Sequence, residues 1–167
     1  MSPVEVRVAG RDDLAALVAV LGQERFFADR LARQDDGRGL LLVALVDGRP
    51  VGDVYLWLEP AEEPEVRRHL PGVPLLGHLE VLPELRSQGI GRDIMQAAED
   101  LLRRGGYERV ALGVDMDNHR AAELYHRLGY THWGYAPADT SQEVFLADGT
   151  IMRVPEKCYI LVKDLTR

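Results

Sequence analysis

The chain has 167 residues, a formal net charge of −7 and a single cysteine. A chain of this length is expected to fold as one domain, residues 1–167, and to remove roughly 70% of its unfolded surface from water. The acidic excess argues against nucleic acid as a partner, because phosphate backbones are bound by clustered Lys and Arg, and it favours a cationic ligand. One cysteine excludes a disulfide framework within the chain.

The distribution of apolar residues bears on the compartment. The longest apolar run, residues 40–46, is far too short to cross a membrane. The N-terminal residues lack the basic and apolar regions of a signal peptide. We therefore expect a soluble cytoplasmic protein without a membrane partner. Cys158 lies in an apolar run near the C-terminus and is expected to be a buried structural thiol.

The first third of the chain alternates strand and helix patterns. Apolar and polar residues alternate over residues 4–8, which predicts a half-buried first strand. Residues 14–21 and 23–33 have apolar residues at helical spacing and predict two helices that flank a cleft. The apolar runs 40–46 and 51–58 are joined by Asp-Gly, a strong signal for a hairpin of the second and third strands.

Residues 59–74 differ in composition from the rest, because they are rich in proline and glutamate. They predict a loop with room for one helical turn. One interpretation is a solvated connector. The other is an acidic rim that attracts an amine ligand.

The central stretch, residues 79–92, is an apolar strand that ends at Pro83 and continues through a glycine-rich loop into a helix over residues 90–104. That helix is amphipathic, with Ile90, Ile94 and Leu101 on its apolar side, so it packs against the sheet. The glycines allow the backbone to turn tightly, so that successive amides at the helix start can point at one anion, such as a pyrophosphate.

Two common phosphate-binding motifs do not fit this loop. A P-loop needs Lys and then Ser or Thr after its last glycine, but Arg92 and Asp93 follow Gly91. A dinucleotide-binding fingerprint that starts at Gly89 needs a small residue where Ile94 stands. The loop therefore belongs to another class of anion site.

The remaining elements close the domain. Residues 109–114 predict a fifth strand, and residues 118–128 predict a helix that stops at Gly129. Four apolar segments, 130–135, 143–146, 150–154 and 159–163, predict closing strands, with a turn at 147–149. Asn118 and Tyr125 are two helical turns apart and share a helix face.

Two motifs carry a resemblance to a known family. Arg86-x-x-Gly89-x-Gly91 after a strand end resembles motif A of the GNAT superfamily, the acyl-coenzyme A-dependent N-acyltransferases. Asn118-x-x-Ala121-x-x-x-Tyr125-x-x-x-Gly129-Tyr130 looks like the second signature of that family. Together they cover residues 79–130. The resemblance implies an α/β (α+β) GNAT fold, a mixed central sheet of about seven strands with flanking helices in the order βααβββαβαββ.

The resemblance also implies acetyl-CoA as cosubstrate and assigns roles to residues. Tyr125 would donate a hydrogen bond or proton to the departing thiolate, and a homodimer is a habit of the family. No metal is required. The residues expected to bind acetyl-CoA are Leu79, Val81, Arg86, Ser87, Gln88, Gly89, Ile90, Gly91, Arg92 and Asn118.

The proton of the acceptor amine needs a base. A lysine-like ammonium with a pKa of about 10.4 is deprotonated at neutral pH to roughly one part in 2,500, a barrier contribution of about 4.6 kcal/mol that a base and desolvation must offset. His78 and Glu80 are the titratable candidates and share a face by strict alternation, unless a bulge changes the facing. GNAT enzymes often have a glutamate near the place of Gly77, which is a departure here. Glu80, His78 and water remain open as the base.

Two functions follow from the resemblance. The first is an N-acetyltransferase that transfers acetyl to a primary amine of a small molecule or protein, by direct attack in a ternary complex. The second is a non-catalytic acyl-CoA sensor, which the glycine at position 77 keeps open. His119 and His126 share a helix face but lack a third ligand at metal spacing, and residues 115–117 lack the glycine and glutamate of a calcium loop. We therefore expect no metal.

Overall fold

The computed structural model describes residues 2–166. Its strands are β1 (Val4–Val8), β2 (Gly39–Val46), β3 (Arg49–Trp57), β4 (Leu75–Val81), β5 (Arg109–Asp115), β6 (Thr131–His132), β7 (Ala138–Phe145) and β8 (Ile151–Asp164). Its α-helices are α1 (Leu14–Leu21), α2 (Glu24–Asp35), α3 (Pro64–His69), α4 (Ile90–Arg104) and α5 (His119–Arg127). Within this part of the chain, no helix is long and apolar enough to span a membrane.

The strands form one sheet in the order β1-β2-β3-β4-β5-β8-β6, and β7 pairs with β8. The β4–β5 pair is parallel, and the other pairs are antiparallel. This is the mixed α/β sheet that the resemblance implied, with eight strands where about seven were expected. The observed element order adds the short helix α3 between β3 and β4 and a third closing strand.

The predicted hairpin between β2 and β3 is confirmed. Asp47 and Gly48 at its turn both have positive φ, 51° and 78°, as a type I′ turn requires. Both strands are almost wholly buried, because α1 packs on β3, α2 packs on β2, and α4 packs on both strands.

Helix α4 has the predicted bounds, and its buried residues include Ile90, Ile94 and Leu102. Glu99 is also buried, which the periodicity did not predict. Its carboxylate accepts hydrogen bonds from the hydroxyl of Tyr130 and from Nζ of Lys163, both at 2.8 Å. Because the buried charge of Glu99 is both paired and hydrogen-bonded, it holds α4 against β8.

The closing strands differ from the prediction. Residues 150–154 and 159–163 belong to one long strand, β8, that includes Pro155. Its partner β7 begins at Ala138, five residues before the predicted start of residues 143–146, and β6 is reduced to Thr131–His132. Pro155 is tolerated because β5 pairs with β8 only from Cys158 onward, so the missing N–H can face the open side of the strand.

Candidate active site

The parallel strands β4 and β5 separate after a short contact. Only Leu75 with Ala111 and Leu76 with Leu112 are paired. From Gly77 to Val81, β4 keeps β3 as its neighbour on one side and has no paired strand on the other within the described residues. The backbone N–H and C=O groups along this free edge can pair with a ligand that carries its own amides, in the manner of strand addition.

A bulge lies in β4 at the start of this free edge. Asp53 is opposite Glu80 and Tyr55 is opposite Gly77, so β4 has one residue more than β3 in this interval. His78 takes up the difference with a φ of 57°, a conformation that is uncommon for a residue other than glycine. Strict alternation therefore does not describe this strand, and the bulge sets where His78 points.

The imidazole of His78 is the centre of a polar chain. Its Nδ1 lies 2.8 Å from Oδ2 of Asp53, and its Nε2 lies 3.0 Å from Oε1 of Gln23. Nε2 of Gln23 donates to Oε2 of Glu80 at 2.8 Å. Nε2 of His78 and Oε2 of Glu80 are themselves 3.5 Å apart. The two candidate bases thus lie side by side, and Asp53 and Gln23 join them.

Phe26 and Asp53 fix the two sides of this imidazole. The ring of Phe26 stacks on His78 with 3.8 Å between centroids. Asp53 is fully buried, and burial raises its pKa to about 6 while the hydrogen bond with His78 acts in the opposite direction. His78 keeps 24% of its side chain exposed, so one side of the imidazole is held by the core and the other faces solvent.

His78 lines two adjoining cavities. The first, of about 300 Å³, lies where β4 and β5 diverge and includes Gly77 and Gly113 in its wall. The second is wider and extends along β7 to Asn118. Together they form a cleft whose walls carry six carboxylates, those of Glu62, Glu63, Asp115, Asp117, Glu143 and Glu156.

The basic residue among the cleft-lining side chains is Arg30. It forms ion pairs with Asp29 and, at 2.8 Å, with Glu143, so its charge is already balanced. Glu63 forms no ion pair among the described residues, and burial raises its pKa. The cleft therefore keeps an excess of negative charge.

The β7–β8 hairpin crosses the mouth of this cleft and is held there by α2 and the loop before α3. Glu143 of β7 accepts from Arg30, and the carbonyl of Ala147 accepts from Arg25 at 3.0 Å. Arg153 of β8 lies 3.4 Å from Glu62. Two contacts with α2 and one with the loop before α3 fix the hairpin as one wall of the site.

The glycine loop follows the free edge of β4. Ser87 and Gly89 both have positive φ, 65° and 86°, which turns the backbone into α4 and produces the kind of concave amide surface that binds anions. Arg86 and Arg92 flank the turn, and Arg120 of α5 donates to the hydroxyl of Ser87 at 3.1 Å. Three guanidinium groups therefore surround the start of α4.

Asn118, the N-cap of α5, lines the wider cavity, and Tyr125 lies two turns further along the helix. Oδ1 of Asn118 accepts from the backbone N–H of Ala121 at 3.1 Å, which caps the helix. The ring of Tyr125 packs edge-on against Tyr130 at 6.0 Å. Within residues 2–166 its hydroxyl makes no hydrogen bond, and burial raises its pKa to about 12. The hydroxyl therefore stays protonated at neutral pH and is free to donate.

A family model described as "Acetyltransferase (GNAT) family" matches residues 12–130. The chain belongs to the GNAT family. A mycothiol acetyltransferase of Salinispora arenicola is 35% identical over 114 residues, which is 64% of this chain and 34% of that protein. The chain spans about a third of the length of the curated mycothiol acetyltransferases it matches.

Solved GNAT structures share the fold over nearly the whole chain. The PaiA N-acetyltransferase of Thermoplasma acidophilum, in complex with coenzyme A, has a TM-score of 0.67 at 16% identity and covers 97% of this chain and 99% of its own. The ribosomal-protein-S18-alanine N-acetyltransferase of Escherichia coli has a TM-score of 0.68 at 18% identity, over 99% and 96% of the two chains. The family model confirms the assignment to the GNAT acyltransferases, and the solved structures confirm the fold.

The GNAT motifs lie in the elements that the sequence predicted, the loop between β4 and α4 and the helix α5. Sequence reasoning missed Asp53 and Gln23. Asp53 is the acid within the apolar run 51–58, and a carboxylate in a buried strand was the available signal. No comparable signal pointed to Gln23, because its contact with His78 joins residues that are 55 positions apart.

The other titratable residues stay outside the polar chain. Cys158 is buried, bonds with Thr140 and has its pKa raised to about 11 by burial, as expected for a structural thiol. Asp115 caps the turn before α5 by accepting from the N–H of Asp117.

Ligand atoms of Asp53, His78 and Glu80 lie within 4.8 Å of one another. Because hydrogen bonds through His78 and Gln23 join them at 2.8 to 3.0 Å, we interpret the group as a proton-bearing chain, and the absence of a metal stays a prediction.

Proposed function

We propose that this chain transfers an acetyl group from acetyl-CoA to a primary amine by direct attack in a ternary complex. The observation that carries the proposal is the free edge of β4 from Gly77 to Val81. It runs from the acidic cleft at His78 to the glycine loop at the start of α4. One extended ligand can therefore reach both an amine site and an anion site.

The cofactor side fits acetyl-CoA in three respects. The free edge offers backbone partners near Leu79 and Val81 for the amides of the pantetheine arm, although the carbonyl of Val81 already accepts from Nε of Arg86 at 3.3 Å. The amides of residues 86–91 and the start of α4 suit a pyrophosphate. A Cβ on Gly91 would lie 3.8 Å from Leu124 and 4.0 Å from Val81, so the glycine is not required by the packing around it. A requirement for close approach of a ligand explains it instead.

The acceptor side fits a cation. Amines are protonated at neutral pH, and the cleft carries Glu63 and Glu156, neither of which forms an ion pair among the described residues. The rings of Phe26, Tyr55 and Trp57 also line the cleft. Guanidinium groups of Arg30 and Arg33 already lie over them, so these rings contribute apolar lining and the carboxylates provide the attraction for a cation. This supports the acidic-rim interpretation of residues 59–74 for Glu62 and Glu63.

The chemistry needs two proton transfers. The amine loses a proton to the His78–Glu80 pair, and its nitrogen then attacks the thioester carbonyl. The C–N bond forms, the C–S bond breaks, and the sulfur leaves as a thiolate that accepts a hydrogen bond or proton from Tyr125. A thiolate with a pKa of about 8.5 is a good leaving group, so Tyr125 assists the step without being essential.

The testing experiment is an assay of coenzyme A release over a panel of primary amines. The panel includes small-molecule amines, which the similarity to mycothiol acetyltransferases supports, and peptides with free N-termini. Release with at least one amine, rising with pH as the acceptor is deprotonated, is the expected result. Tight acetyl-CoA binding without release over the whole panel would favour the sensor instead. Cytoplasmic localisation and homodimer formation stay predictions of the sequence.

A further inference from the structure

Asp53 is a carboxylate in a place where packing does not call for one. It lies in the middle of β3 between buried neighbours and has no solvent exposure. Its Oδ2 accepts from Nδ1 of His78, whereas its Oδ1 has no hydrogen-bond partner among the described residues. A buried carboxylate with one partner disfavours the folded state. Its presence therefore needs an explanation other than stability.

The backbone around His78 is arranged to reach this carboxylate. The bulge in β4 gives His78 a φ of 57°, and Gln23 at the start of α2 has a φ of 55°. Both residues hold uncommon left-handed conformations, and both contact each other through their side chains. Strained residues that cluster at one site are typical of functional geometry.

The contact with Asp53 determines which nitrogen of His78 carries a proton. An ionised carboxylate only accepts hydrogen bonds, so at neutral pH Nδ1 must be the donor in the bond to Oδ2 of Asp53. Nε2 is then the nitrogen that faces the cleft and can exchange a proton with a ligand. Asp53 thus acts on His78 as a buried carboxylate acts on the imidazole of a hydrolase triad, by fixing its tautomer and orientation.

Gln23 links the state of Nε2 to that of Glu80. When the carbonyl of Gln23 faces Nε2 of His78 and its NH₂ faces Glu80, Nε2 must carry a proton, because the carbonyl can only accept. With the amide turned over, its carbonyl faces Glu80, and the proton must reside on that carboxylate. In either orientation the bridged arrangement holds one proton, on His78 or on Glu80, so it is the state of the pair after a proton has been accepted. The two residues therefore form one proton-accepting unit, and the choice between them as separate bases is not a real alternative.

We infer that Asp53 is a positioning residue that keeps one proton of His78 on Nδ1, so that Nε2 is the nitrogen that receives the proton of the acceptor amine and, once protonated, is bridged to Glu80 by Gln23. The inference rests on the proposed transfer reaction for its consequence in catalysis. The hydrogen-bond arrangement itself does not depend on that reaction, so the two can fail separately.

The test is ¹⁵N NMR of the histidine side chains in the full chain, which has five histidines. His78→Gln identifies the signal of His78. In the wild-type protein Nδ1 of His78 should be protonated at neutral pH. In Asp53→Asn it should lose that proton. The amide NH₂ is expected to face Nδ1, because the amide carbonyl can then take the place of Oδ1, which has no hydrogen-bond partner among the described residues.

Gln23→Ala is the matched control, because it removes the bridge and leaves Asp53 in place. Nδ1 should stay protonated in that variant. In the amine assay, Asp53→Asn should lower kcat roughly 100-fold, the range of general-base catalysis, with KM for the amine within about 3-fold. If the role of Asp53 were purely structural, its replacement would not change the His78 ring signal and kcat while leaving KM nearly unchanged.

Three results would overturn the inference. They are an unprotonated Nδ1 in the wild-type protein, a protonated Nδ1 in Asp53→Asn, or a His78 signal that a chelator changes, which would mean that Asp53, His78 and Glu80 hold a cation. The first and third need only the wild-type protein and the assignment variant His78→Gln. If no amine supports coenzyme A release, the proposed function fails, but the ring signals still decide whether Asp53 controls His78.

Discussion

Asp53 on β3 is the direct cross-strand partner of Glu80 on β4, so two carboxylates occupy neighbouring positions on the sheet and His78 lies against both. One of the two is fully buried, and 29% of the other is exposed. The pair thus places a carboxylate that cannot reach water beside one that can. This difference in solvation underlies the first prediction.

Stability should depend on pH through Asp53. Its pKa in the folded state is about 6, above the value of about 3.9 for an unfolded chain. The native state therefore binds more protons between these values, and the free energy of unfolding falls as pH rises through this interval, by about 3 kcal/mol at most. Urea titrations at several pH values should show this fall in the wild-type protein and a smaller one in Asp53→Asn. The exposed Asp12→Asn variant should behave like wild type.

The glycine loop should bind acetyl-CoA. Ligand at about 100 times its dissociation constant adds roughly 2.7 kcal/mol to native stability, which a thermal melt detects. Gly91→Val should remove most of the shift without unfolding the apo protein, because a Cβ there meets only ordinary contacts. Gln96→Val, at an exposed position of the same helix, controls for helix propensity and should keep the shift. An unfolded Gly91→Val protein would show that the glycine serves packing.

Tyr125 and Tyr130 are adjacent aromatic residues with different expected roles. Tyr125→Phe should lower kcat roughly 10- to 100-fold and leave stability nearly unchanged, because its hydroxyl has no partner among residues 2–166. Tyr130→Phe should lower stability by about 1 to 3 kcal/mol, since it removes a hydrogen bond from the buried Glu99. Equal effects of both variants on kcat would contradict a specific role of Tyr125.

The acidic cleft should select cationic acceptors. The double variant Glu63→Gln, Glu156→Gln should raise KM for a cationic amine roughly 5- to 10-fold, about 1 to 1.5 kcal/mol, and the effect should shrink at high salt. Glu65→Gln is the control, because Glu65 is exposed on α3 and lies outside the cleft. A similar rise in KM for an uncharged acceptor would point to a change in shape instead of charge.

Activity should survive removal of metal ions. The proposed reaction uses a thiolate leaving group and a protein base, neither of which requires a Lewis acid. Coenzyme A release after dialysis against a chelator should equal that of untreated protein, with added zinc as a second comparison. Loss of activity that zinc restores would assign a metal to the Asp53, His78 and Glu80 group.

The parts of the site that could be predicted from sequence are those with short-range spacing. Arg86, Gly89 and Gly91 lie in one short segment that leads into α4, and Asn118 and Tyr125 belong to the cap and body of one helix. Their geometry therefore follows from local rules. His78 and Glu80 were identified by type, but their relative position depends on a bulge whose presence the letters do not reveal. Tertiary pairing of β3 with β4 creates it.

The errors in the fold have the same physical origin. Pro155 reads as a strand end because it lacks an N–H, yet β8 continues through it where only β7 is its partner. The polar residues 138–142 do not read as a strand, but they pair with β8 in register. In both places the neighbouring strand decided the structure, and single-sequence patterns carry no information about that neighbour.

The β7–β8 hairpin that walls the cleft is contiguous in sequence and separate from the residues proposed to move protons. Arg25, Arg30 and Glu62 hold it from outside, while Asp53, His78 and Glu80 belong to the central strands. Insertions or exchanges in this hairpin can therefore alter which amines enter while the transfer apparatus stays intact. Evolution and engineering alike can change the acceptor range of this scaffold by replacing one short segment.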